Sequence, residues 1–195
     1  MIFASIRYNL ANLLRFSGRE SRALFWPYAI AVFLLGIVAG ILLFIPVMTD
    51  MMARAMDYVR THPGGIPHAA LGQPPVLPPE LMPDMSRMIV PMLIVNLVGI
   101  LLLAAAAVRR LHDCDRTGWW AALPLPFHIV AAAIGPAAAK AMMEAMKSFP
   151  PKQSALVTVS SLNSALSLLA LLVLIVLLVG QGTSGPNRFG EARAG

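Results

Sequence analysis

From Ala23 to Met48 the chain runs without one charged residue. An α-helix over that run, rising about 1.5 Å per residue, is roughly 39 Å long and exceeds the ~30 Å hydrocarbon core of a bilayer. Such a helix reads as a membrane span, and it constrains everything after it, because a chain that crosses once must return or stay. Composition agrees: 58% of the 195 residues are hydrophobic and 12% charged, where a soluble domain carries about 25% charged residues.

Three further stretches repeat the pattern. The segment 88–108 is apolar except for Asn96. The segment 119–139 is apolar but interrupted by Pro124, Pro126 and Pro136, which predicts a kinked helix whose freed carbonyls are satisfied by neighbours. The segment 155–180 holds twelve Leu, Ile and Val residues between Leu166 and Val179; at about 0.4 kcal/mol each they favour insertion by roughly 5 kcal/mol. The expected fold is therefore an all-α membrane protein, a four-transmembrane-helix bundle forming one domain. It is preceded by an amphipathic segment, 1–22, in which Ile2, Phe3, Ile6, Leu10, Leu13 and Leu14 share a helical face suited to the membrane interface. Gly36 and Gly40 form a G-x-x-x-G pair where another helix can come close.

The connections differ sharply. Residues 49–87 form a loop rich in methionine and proline; its helix-like Met48, Met51, Met52, Met56 spacing gives way to seven prolines between His62 and Pro83, which no regular helix tolerates. Residues 109–118 form a charged hairpin, 140–154 a short polar loop and 181–195 a turn-rich tail. Four spans place both termini and the hairpin on one side. Nine basic residues fall there against six on the other, which makes that side cytoplasmic. All three tryptophans, Trp26, Trp119 and Trp120, fall at the same face. No small-residue cleavage site follows the first apolar run, so the mature chain is expected to begin at or near Met1. A lone cysteine, Cys114, makes no intrachain disulfide. The formal charge of +6 comes with no nucleic-acid recognition motif and reads as loop arginines facing anionic lipid.

Three ordered blocks carry a resemblance. F-S-G-R-E-S-R-A-L-F-W at 16–26, R-R-L-H-D-C-D-R-T-G-W-W at 109–120 and G-T-S-G-P-N-R-F-G at 182–190 together resemble the small bacterial inner-membrane proteins of "domain of unknown function 805". The resemblance implies a multi-pass protein of the bacterial cytoplasmic membrane and no assigned reaction. The chain departs from that pattern at Cys114 and Asp115, where a small residue and glycine are usual, at Thr117, where serine is commoner, and after Gly190. Its proline-rich loop is also longer.

Several clusters are candidates for function. On a continued second helix Arg109, His112, Asp113 and Arg116 share one face; Asp113 then holds Arg109 or Arg116, and Thr117 caps the third helix. A second reading has Arg19, Arg22, Arg109, Arg110 and Arg188 converge on an anion, a lipid headgroup or small ligand, over aromatic rings supplied by Trp26, Trp119 and Trp120, with Asn187 in the third block. Catalysis would use His112 oriented by Asp113, but consecutive helix positions point apart and no second Cys or His cluster exists to complete a metal site. His128, near mid-bilayer, could face Asn96 or the polar stripe of Ser160, Asn163 and Ser164 as part of a transport path, or pack as a neutral ring. Methionine gathers at the outer side, and Met51, Met52, Met56, Met82 and Met85 form a candidate Cu(I) set, although methionine also fills irregular apolar surface. The leading expectation is a noncatalytic membrane protein, without a cofactor, that binds anionic lipid or a protein partner through the cytoplasmic Arg and aromatic surface. It could also self-associate.

Overall fold

A computed structural model describes residues 2–63, 78, 81, 86–127, 129, 130, 133–135, 137, 140 and 153–191, without side-chain placement at 86, 153–160, 163 and 167. The protein is mostly helical, and among the described residues there is no strand. Among the described residues four α-helices are delimited, α1 (Ile2–Ala11), α2 (Arg22–Thr61), α3 (Ser86–Asp113) and α4 (Gln153–Val179), with a short 3-10 helix (Gly118–Ala122) after α3.

Two of these, Arg22–Thr61 and Arg87–Asp113, are long and apolar enough to cross a membrane. Only 11% and 6% of their most apolar stretches are buried within the protein. A soluble protein covers the apolar faces of its core helices and rarely leaves large contiguous patches bare; these helices are apolar nearly all round and uncovered, as lipid-facing helices are. α2 runs on to Thr61, beyond the stretch 23–48, because Met51, Met52, Ala53, Arg54, Ala55 and Met56 are good helix formers and no proline intervenes before Pro63. α3 likewise runs into the charged stretch and stops at Asp113. The chain after it opens with the 3-10 turn at Trp119 and Trp120, with helical geometry at 125–127 across Pro126.

α2 and α3 lie antiparallel. The Tyr28 hydroxyl near the start of α2 donates to the Leu102 carbonyl at 2.9 Å, while at mid-α2 a Cβ on Gly40 would stand 3.6 Å from the methyl of Met92, near the start of α3. The core sits where α2 begins and α3 and α4 end, and consists of Phe25, Tyr28, Val32, Ala106, Ala107, Leu111, Leu177 and Leu178. The run Ala104–Ala107 lets the backbones approach there. α1 packs on α2 in the reverse of the soluble pattern: Ser5 and Asn9 are buried while Ile2, Phe3 and Leu10 are exposed.

Candidate functional site

α1 is turned polar side inward because a cluster of charge waits beneath it. Arg19, Glu20, Arg109, Arg110 and Asp113 are all between 0% and 6% exposed. An isolated buried charge costs several kcal/mol, so each must find partners inside the protein.

Arg109 is held by the N-terminal block. Its Nε donates to Glu20 Oε2 at 2.8 Å, its Nη2 to Asn9 Oδ1 at 2.6 Å, and its Nη1 to the carbonyls of Asn12 at 2.9 Å and Arg15 at 2.6 Å. Asn9 closes the ring, its Nδ2 donating to Glu20 Oε1 at 2.8 Å. Tyr8 lies against the same guanidinium at 5.6 Å.

Arg110, one residue on, turns to α4. Its Nε donates to the Leu178 carbonyl at 3.0 Å, and its Nη2 donates to the Gly180 carbonyl. The last carbonyls of a helix have no partner within it and carry the negative end of its dipole. Arg110 therefore caps α4 while pairing through Nη1 with Asp113.

Arg19 gathers the tail. It pairs with Asp113 Oδ1 through Nε and Nη2 at 3.1 and 3.0 Å, and donates to the carbonyls of Thr183 and Gly185, each at 2.6 Å, and Gly190 at 3.3 Å. The Thr183 N–H donates back to the Asp113 carbonyl at 2.9 Å. Gly182 has to be glycine at this crossing, since a Cβ there would overlap the Asp113 carboxylate. Three cations against two carboxylates leave one positive charge in excess, met by the backbone carbonyls and the end of α4.

His112 completes the clasp. Its ring stacks on Phe189 at 3.9 Å and 5°, its Nδ1–H donates to the Gly18 carbonyl at 3.1 Å, and its own carbonyl accepts from Asn187 Nδ2 at 2.9 Å. Standing beyond the apolar stretch of α3, the imidazole is pushed below its ordinary value near 6.5, chiefly by burial; the Gly18 contact opposes that and the nearby Arg188 adds to it. Asp113, committed to Arg19 and Arg110, does not orient this ring for acid–base work.

The pairing thus differs from the one expected along a single helix face. Asp113 holds Arg19 and Arg110, Arg109 goes to Glu20, and Arg116 leaves the helix because Asp115 turns the chain at φ 55°. Arg116 then lies over the Trp120 ring at 5.9 Å. Thr117 precedes the 3-10 helix without a side-chain cap bond. The guanidinium groups of Arg19, Arg109 and Arg110 point at protein acceptors, whereas Arg22 and Arg116 are exposed and Arg188 pairs at the surface with Asp115 at 3.2 Å. Trp26 is half-buried, edge-on to Phe25 at 5.3 Å, and Trp119 is 86% exposed.

Of the remaining candidates, Asn96 donates to the Met92 carbonyl at 2.9 Å within its own helix. Ser164, Met52 and Met56 are exposed and Met51 half-exposed. His128, Met82 and Met85 lie outside the described residues, as do the side chains of Ser160 and Asn163. Among the described residues no group of three or more His, Cys, Asp and Glu is placed to hold a metal ion. Sequence reasoning overlooked Glu20, Asn9 and Gly182. Glu20 carried a signal, being the sole acidic residue before Asp50 in a chain this basic.

A family model described as "Protein of unknown function (DUF805)" matches residues 13–191. No curated protein and no solved structure matches the chain. α1 precedes the matched region yet contributes Asn9 to the clasp.

Proposed function

The chain belongs to the DUF805 family, and from that premise we propose that it is a noncatalytic, four-span protein of the bacterial cytoplasmic membrane whose cytoplasmic face binds anionic lipid headgroups. The observation that carries the reading is a division of labour among arginines at one end of the bundle. Arg19, Arg109 and Arg110 are buried and spent on internal acceptors, while Arg15, Arg22, Arg116 and Arg188 surround them exposed. The inner set forms a latch that joins the N-terminal block, α3 and the tail. The outer set forms a rim, and exposed Phe16, Trp119 and Trp120 stand close in the chain to Arg15 and Arg116, the residue types of a membrane–water boundary.

Each basic residue near an anionic leaflet contributes about 1 kcal/mol, so Arg15, Arg22 and Arg116, with Arg188 offset by its pairing to Asp115, supply roughly 3 kcal/mol of headgroup attraction. The test is thermal unfolding in phosphatidylcholine nanodiscs with and without phosphatidylglycerol. Phosphatidylglycerol is expected to raise the Tm of the wild-type chain and to leave the variant R15Q/R22Q/R116Q/R188Q unmoved. An equal rise in both would defeat the reading.

A further inference from the structure

Between α2 and α3 lies an open groove of about 1070 Å³, above the roughly 300–1,000 Å³ of sites that hold compact, drug-sized molecules. Its walls are apolar, and among the described residues Asn96 is the lone side-chain amide that lines them. Its floor carries three glycines from two helices, Gly36, Gly40 and Gly99; a Cβ at Gly36 or Gly99 would meet nothing within 4 Å. Small residues let something come close to the helix backbones, and here the described residues leave that space open.

The mouth has different chemistry. Gly118 and Trp119 line the groove where it reaches the latch end. Two residues before Gly118 stands Arg116, exposed, stacked on Trp120 and without an ion-pair partner among the described residues. A long apolar groove lined at its latch end by an exposed indole, with an arginine two residues along the chain from that lining, complements a molecule with an apolar tail and an anionic head.

We propose that this groove holds the acyl chains of one anionic glycerophospholipid from the cytoplasmic leaflet, with its phosphate at Arg116. The proposal rests on the headgroup-binding reading and adds to it a defined tail site. The apolar walls give no directional bonds, so shape sets the fit of the tails and Arg116 sets the choice of head.

The experiment is native mass spectrometry of the full chain released from nanodiscs of mixed phosphatidylglycerol and phosphatidylcholine. The wild-type chain is expected to retain one phosphatidylglycerol. The variant G36F/G99F, which fills the floor, should retain it at least tenfold less, and R116Q should retain lipid without preferring phosphatidylglycerol. Retention unchanged in G36F/G99F would overturn the tail site while leaving the rim reading intact, because that reading stands or falls on the Tm comparison. Loss of helical signal in G36F/G99F would mean that protein covers the floor, and a lipid-free doubled mass would mean that a second copy does; either result overturns the proposal.

Discussion

Arg109 and Glu20, 89 residues apart, are joined twice: the guanidinium donates to the carboxylate at 2.8 Å, and the Glu20 N–H donates to the Arg109 carbonyl at 3.1 Å. Side chain and main chain therefore fix the same register between the N-terminal block and the end of α3. Removing one partner of a buried pair strands the other charge, at a cost of about 3–5 kcal/mol. R109L and E20L are each expected to lose stability on that scale in detergent unfolding, and the double variant to lose clearly less than the sum. Additive losses would mean that the pair is not coupled.

Asp115 makes a sharper local test. It sits at φ 55° just past α3, where the Arg116 N–H reaches back to the Leu111 carbonyl at 2.9 Å and the Asp115 N–H to the His112 carbonyl at 3.1 Å. This is the helix-ending turn that usually takes glycine. D115A and D115G both lose the surface pair with Arg188, so their difference isolates the backbone. D115G is expected to be more stable than D115A by about 1 kcal/mol; equal Tm values would remove the left-handed turn from the account.

His112 gives the clasp a pH dependence. Burial holds the folded ring below its ordinary value near 6.5, so as pH falls the unfolded chain takes up its proton first. The stability of the neutral, stacked ring is complete above 6.5 and is lost as pH falls from there through the lowered folded value. The Tm of the wild-type chain is expected to fall over that window, and that of H112Q to fall less. Parallel profiles would show that another group titrates.

Two long apolar helices were legible because such segments announce themselves by length and lack of charge, and the three Arg and aromatic blocks marked one face before any geometry was known. The pairing within that face was not legible. Helical spacing joined Asp113 to Arg109 or Arg116 because it counts only neighbours along one helix, whereas Glu20 and Arg19 arrive from another segment, Glu20 taking Arg109 and Arg19 taking Asp113. The inward turn of Asn9 was hidden for a related reason: α1 exposes Phe3 and Leu10, and amphipathic patterning shows which residues share a face without showing which face lies inward. Gly182 is required by a crossing of the tail over Asp113, a long-range fact with no local signal.

The central claim is that α2 and α3 cross the membrane and leave the latch on the cytoplasmic side with both termini. Reporter fusions at Gly72, between the two helices, and at Gly195 test it most directly. A periplasm-dependent phosphatase is expected to be active at Gly72 and inactive at Gly195, with a cytoplasm-dependent fluorescent reporter giving the reverse. Both positions reporting the same side, or Gly72 reporting inward, would contradict the claim.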